Sequence, residues 1–249
     1  MESLKFNFAG TFGKAGEILT SVDNAPYVWQ PCEGNRIVIT LGIGSATGFD
    51  TDYSISRNVG KNLAQYFCHT QISTSDRFEK AFLSAREYLA SEFPFDPTDF
   101  GSASSTILCV LIENDEALIG WLGNEQAYLI RDGQIIQRTQ AHKLAQQILE
   151  KFNSEWRQRV ARYPTRYLSV DERDANSMPE VLSTPWRLLI GDRIVLVTQR
   201  LLEGLREEAM PDLIQGKTVG DAAQSLVQEA SRIAAQYFWG NATAVIEVS

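Results

Sequence analysis

Apolar and polar residues along the 249-residue chain change period several times, and each change marks an element. Runs rich in β-branched residues predict strands at Arg36 to Leu41, Thr106 to Glu113, Ala117 to Leu122, Gln126 to Arg131 and Gln134 to Arg138, with two more at Ile194 to Thr198 and Ala242 to Val248. Asn114-Asp115 and Asp132-Gly133 are turn pairs between successive runs, so the spacing predicts antiparallel hairpins and a meander. Helical period appears elsewhere. Phe78, Phe82, Ala85 and Leu89 share one face, as do Leu144, Ile148, Phe152, Trp156 and Val160, and Val219, Ala222, Leu226, Ala230, Ile233 and Tyr237. A fourth helix is expected over Tyr53 to His69, and Thr218 with Asp221 three residues on forms a capping box that starts the last. Strand runs kept apart from helix runs indicate an α+β layered fold rather than a doubly wound parallel sheet.

Composition narrows this little. No Pro/Gly/Ser-rich linker divides the chain, so residues 1–249 read as a single domain. No apolar run approaches the roughly 18 residues of a membrane span, and MESLKFNFAG lacks a signal-peptide core, so the expected location is the cytoplasm. A formal net charge of -8 argues against nucleic acid and anionic membranes as partners. The one basic cluster, RQRVARYPTR at 157–166, reads as a solvated helix face. Cys32, Cys68 and Cys109 are far apart and form no CxxC pair, so unpaired thiols are expected, with neither a disulfide framework nor a zinc site.

Candidate chemistry is sparse. GIGSATG at 42–48 follows a strand, but its spacing and the absence of an adjacent helix start do not suit a dinucleotide loop. The histidines, His69 and His142, both sit in apparent helical context, and no GxSxG elbow accompanies them, which argues against a nucleophilic triad. Asn241-Ala242-Thr243 matches a glycosylation sequon without a secretory signal to make use of it.

A more informative pattern runs along the chain. Gly123-Asn124-Glu125-Gln126-Ala127-Tyr128 resembles the Gly-Asp-Ser-Arg-Ala-Tyr of the metal-dependent protein phosphatases of the 2C type, with Asn124 at the Asp. That family's early Gly, Arg and Asn-Glu-Asp line up with Gly16, Leu19 and Val22-Asp23-Asn24. Its strand ending in Asp-Gly-Met-Gly-Gly is similar to the one ending Leu41-Gly42-Ile43-Gly44-Ser45, and Gly101-Ser102-Ala103-Ser104 stands where Gly-Ser-Thr-Ala is expected. Arg131-Asp132-Gly133 resembles an Arg-Asp-Gly turn, and Ala141-His142 takes the place of Asp-His. Gly191-Asp192 opens a strand that ends in Gln199-Arg200, where the family has Asp-Gly, and Gly240-Asn241 replaces Asp-Asn. The stretch 163–184 aligns poorly.

The resemblance implies a four-layer αββα sandwich of two antiparallel sheets. It also implies that a pair of Mg²⁺ or Mn²⁺ ions, held by carboxylates, would activate water against a phosphoserine or phosphothreonine. Here the ligand positions read Asn24, Leu41, Gln199 and Gly240, with Gly42 offering only a backbone carbonyl. Neutral amides and a leucine cannot offset two divalent charges in one cleft, where unit charges ~4 Å apart repel by ~4 kcal/mol even at an effective dielectric of 20. The expectation is therefore a pseudophosphatase with no catalytic residue, no bound metal and no cofactor, serving as a regulatory or interaction module. Its partner would be a protein: a kinase, a phosphoprotein or an assembly component. Two alternatives stand beside it. One is a divergent phosphatase that recruits Asp23, Asp50 or Asp52 as relocated ligands; the other is a phospho-ligand sensor that uses the vacant cleft. Arg200 could replace metal charge as a plug or bind an anion, or simply be an exposed arginine at a helix start.

Overall fold

The apolar alternation between 104 and 138 folds as two hairpins rather than one meander, because the chain changes sheets between them. The computed structural model describes residues 4–14, 17–19, 26–34, 36–45, 51–70, 74–93, 103–143, 164–170, 178–233 and 242–249. In chain order the strands are β1 (Phe6–Lys14), β2 (Glu17–Leu19), β3 (Tyr27–Cys32), β4 (Arg36–Ser45), β5 (Thr51–Asp52), β6 (Ser104–Glu113), β7 (Glu116–Leu122), β8 (Gln126–Arg131), β9 (Gln134–Arg138), β10 (Leu168–Ser169), β11 (Glu180–Val181), β12 (Trp186–Arg187), β13 (Arg193–Val197) and β14 (Ala242–Val248). The helices are α1 (Tyr53–His69), α2 (Thr74–Glu92), α3 (Gln199–Gly204), α4 (Met210–Ile214) and α5 (Val219–Ile233), with a 3-10 turn at Glu207–Ala209 before α4.

Among the described residues one sheet runs β2-β1-β14-β13-β8-β9 and the other β11-β7-β6-β4-β3, with β10 beside β6, β12 beside β7 and β5 beside β4. Every pairing is antiparallel. The β8–β9 turn uses Asp132 and Gly133 at φ 49° and 72°, positive at both central positions, which matches the right-handed twist of its strands. Asn114, at φ 58°, turns β6 into β7.

Alternation along each strand sorts side chains into three cores. Ile39, Leu41, Leu108 and Val110 meet Leu129, Leu196, Ala244 and Ile246 between the sheets. On the outer face of the second sheet, Val38, Cys109 and Leu111 pack under Val59, Leu63, Phe78 and Phe82 of α1 and α2. On the outer face of the first, Tyr128, Val195 and Val245 pack under Leu201, Leu226 and Ala230. The resulting order of layers is helices, sheet, sheet, helices. Thr218 caps α5 as its sequence indicates: its Oγ1 accepts from the Asp221 amide at 3.2 Å and donates to the Asp221 carboxylate at 2.8 Å.

Several expectations need correction. The strand at Arg36 continues past Leu41 to Ser45, so Gly42 to Ser45 is sheet rather than a glycine loop. Gly42 is required there by contact: a Cβ at that position would lie 2.2 Å from the Thr106 carbonyl oxygen. His142 lies in irregular chain after β9 and not in a helix, although His69 ends α1. Cys32 and Cys68 form a disulfide, since the end of β3 and the last turn of α1 meet in space although 36 residues apart in sequence. Cys109 alone is free, wholly buried in β6. The helix expected over 144–160, most of the 157–166 basic cluster and Gly101-Ser102 lie outside the described residues. No helix among those described is long and apolar enough to cross a membrane.

Candidate functional site

Strand registers bring one end of both sheets together. In the first sheet β8 begins where β13 stops, with Gln126 opposite Val197, and β14 starts beside them, with Ala242 and Thr198 hydrogen-bonded through Oγ1 at 3.1 Å. In the second sheet Gly42 faces Ile107 and Ile43 faces Thr106. The chain passes between these two strand ends through Gly123-Asn124-Glu125, all of it buried.

Glu125 is the unexpected residue here. It is 1% exposed, and the Thr106 hydroxyl on β6 donates to its Oε1 at 2.7 Å, tying the two sheets together. Among the described residues its Oε2 is buried without a hydrogen-bond partner. Burial pushes this carboxyl up to about 7, against the lowering effect of the Thr106 hydroxyl and two backbone amides. At neutral pH the group is therefore divided between its charged and neutral forms. When neutral it can reverse the bond, donating to Thr106 Oγ1 while that hydroxyl turns to the Ile43 carbonyl 3.2 Å away. Sequence reasoning passed over Glu125 because a glutamate at a strand start reads as solvent-facing; nothing in its neighbours marks the chain's passage between sheets.

The same connection is fastened from its other side by His142. Gly123 N–H donates to His142 Nδ1 at 3.1 Å, and the His142 amide donates to the Gly123 carbonyl at 2.8 Å. With Nδ1 accepting, the proton sits on Nε2, which faces Glu180 Oε2 at 3.0 Å. The ring stacks on Trp121 at a centroid distance of 5.9 Å, and burial holds its pKa below the ordinary histidine value.

The positions singled out from the sequence divide among these surroundings. Leu41 points into the apolar core between the sheets and is wholly buried, beside Tyr27 and Leu108 in register. Gln199 begins α3, and its buried Oε1 has no partner among the described residues. It lines a cleft of about 540 Å³ between β9 and the α3 segment, together with Arg138, Lys143, Glu203 and Glu207. Arg138 and Glu207 are ion-paired across it. Tyr128 is fully buried, and burial together with the nearby Glu207 carboxylate pushes its phenol up. Arg200 lies 3.8 Å from Glu203, whose negative charge competes with any anion brought to that guanidinium. Thus Leu41, Gly42 and Gln199 come to one end of the sandwich, and Glu125 joins them. Asn24, Gly240, Asp23 and Asp50 lie outside the described residues.

Comparison with solved structures identifies the fold. The serine/threonine phosphatase of S. agalactiae superposes with a TM-score of 0.71 at 17% identity, covering 98% of each chain. The fold is that of the 2C-type, or PPM, phosphatases. The PPM Ser-Thr phosphatase MsPP from Mycobacterium smegmatis matches at a TM-score of 0.67 and 18% identity, over 100% of this chain and 99% of that one. PppA, a regulatory component of T6SS in Pseudomonas aeruginosa, matches at 0.65 and 15%, over 100% and 99%. No protein-family model matches the sequence, and no curated protein does.

The PPM fold implies a pair of divalent cations, and the donor set described here does not fit them. Leu41, which the sequence resemblance aligns with a family carboxylate, puts a hydrocarbon side chain into the inter-sheet core, and Gln199 offers a neutral amide oxygen. Of the carboxylates at this end, Glu125 already accepts from the Thr106 hydroxyl, and Glu207 is paired with Arg138. Among the described residues no three His, Cys, Asp or Glu side chains converge as a metal site.

Proposed function

We propose that this protein is a PPM-fold pseudophosphatase: a regulatory module that binds a protein partner and does not hydrolyse phosphoesters. The observation that carries the reading is the placement of Leu41. A side chain packed among Tyr27, Ile39 and Leu108 contributes about 2 kcal/mol of apolar burial and supplies no lone pair to a cation. The fold shared with PppA, a regulatory component of T6SS in Pseudomonas aeruginosa, agrees with a role in control. The partner is a kinase, a phosphoprotein or an assembly component meeting the sandwich end described above, and the whole of residues 1–249 acts as one domain in the cytoplasm.

Calorimetric titration with Mn²⁺ at neutral pH, paired with an assay on a phosphothreonine peptide in the same buffer, tests this directly. No heat up to millimolar metal and no released phosphate are expected. Two-site binding at micromolar Mn²⁺ would overturn the proposal. A second reading has one observation in its favour: β5 sets the Asp52 backbone opposite Gly44, two residues beyond Gly42. In that case D52N should abolish a metal-dependent activity that the parent protein shows.

A further inference from the structure

The three cysteines have different surroundings. Cys109 is sealed inside β6, and burial pushes its thiol far up, which makes it inert. Cys32 and Cys68 are only partly buried and are bonded to each other, with Cα atoms 5.0 Å apart. Their bond joins the end of β3, the edge of its sheet, to the last turn of α1.

A guanidinium is built into this junction. Arg36 stands directly opposite Cys32 in the β3–β4 register. Its Nη1 donates to the carbonyls of Phe67 at 2.7 Å and Thr70 at 3.3 Å, which bracket Cys68 in the chain. Arg36 also pairs with Glu113, a carboxylate that Arg77 shares at 3.0 Å. Glu33 and His69, the chain neighbours of the two cysteines, are both exposed. A guanidinium held beside a disulfide stabilises the thiolate that leaves when it opens.

We propose that the Cys32–Cys68 bond is a redox-controlled clasp on α1, opened by thiol–disulfide exchange with a dithiol reductant. A thiolate of the reductant attacks one sulfur and expels the other cysteine as a thiolate, leaving a mixed disulfide. The reductant's second thiolate then attacks that mixed disulfide, freeing the remaining cysteine and closing the reductant's own disulfide. Two electrons and two protons pass to the pair, and nothing else is consumed. In a reducing compartment such a bond is a transient, regulated one.

The clasp can reach the candidate site along α1. That helix starts immediately after β5, which pairs with Gly44 and Ser45, and it ends at the disulfide. Midway it lies against β4, where a Cβ on Gly60 would come within 2.3 Å of Thr40 Oγ1. Opening the clasp loosens the far end of a helix that rests on the strand carrying Leu41 and Gly42. This holds whether or not the protein hydrolyses phosphoesters.

The test uses the full chain, purified without reductant and then treated with dithiothreitol under native conditions. Maleimide mass shifts should show no reactive thiol before treatment and two afterwards, at Cys32 and Cys68, with Cys109 unlabelled. Hydrogen exchange over 60–70 should rise on reduction and return on reoxidation. Arg36→Gln should lower the equilibrium constant for reduction about tenfold. Cys32→Ser, which does not depend on Arg36, should reproduce the exchange pattern of the reduced parent. Labelling of Cys32 and Cys68 before reduction would overturn the proposal, as would a bond that opens only on denaturation. So would a Cys32→Ser protein that exchanges like the oxidised parent.

Discussion

Thr106 on β6 and Glu125 in the connection from β7 to β8 are 2.7 Å apart, oxygen to oxygen, at the end of the sandwich where Leu41 and Gln199 also lie. Glu125 titrates near 7 when folded and near the ordinary carboxylate value when unfolded, so the folded protein binds the extra proton between them. The stability this lends is present in full below the unfolded value and is lost as pH rises through 7. Urea unfolding of the parent should therefore weaken by about 2–3 kcal/mol between pH 5 and 8 relative to E125Q, which keeps the shape and cannot ionise. Parallel curves for the two proteins would show that Glu125 is solvated.

His142 works in the opposite direction. Its folded pKa lies below the unfolded one, so its contribution is complete above the unfolded value and is lost as pH falls through the folded value. Protonating Nδ1 also removes the acceptor of the Gly123 amide. H142N, which can hold an amide oxygen near the Nδ1 position, should lose less stability than the parent between pH 7 and 5 in the same denaturation experiment.

Leu41 can be converted into the residue that the PPM resemblance expects. L41D places a carboxylate in the apolar inter-sheet core without a partner, at a cost of about 3–5 kcal/mol. A fall in Tm that millimolar Mn²⁺ leaves unchanged is expected. Recovery of the parent Tm with Mn²⁺ would mean that the strand end still cradles a cation.

Gly42→Ala tests how closely β4 and β6 approach. The new methyl would meet the Thr106 carbonyl oxygen at 2.2 Å, and that oxygen is backbone that cannot rotate away. A loss of about 1–3 kcal/mol in chemical denaturation is expected. An unchanged midpoint would show that the strands part without strain.

Regular elements were legible in the sequence wherever one period held. β8, β9, β14 and α1 have the predicted bounds, and the four apolar positions of α2 are all buried. β1 escaped because Gly10 and Gly13 interrupt its alternation, and Gly10 is there to admit the Tyr27 ring: a Cβ on it would come 2.3 Å from Tyr27 Cζ. β3 escaped because Pro31 argues against a strand, yet it lies on an edge, where a missing donor is tolerated. Of the aligned ligand positions, Leu41, Gly42 and Gln199 are among the described residues, and Asn24 and Gly240 are not. Glu125 and the Cys32–Cys68 bond did not show, because each depends on which distant segments meet in space, and local residue type carries no trace of that.

β14 lies in the middle of its sheet, between β1 and β13, although it follows every other described strand in sequence. During synthesis β1 has no neighbour on that side, and β13 no closing partner, until residues 242–248 leave the ribosome. The sheet is completed only when this strand joins the open edge of β13 and β1 pairs with it. Until that moment two apolar strand edges stand open to other chains, so a ribosome stalled shortly before residue 242 should release an aggregation-prone intermediate.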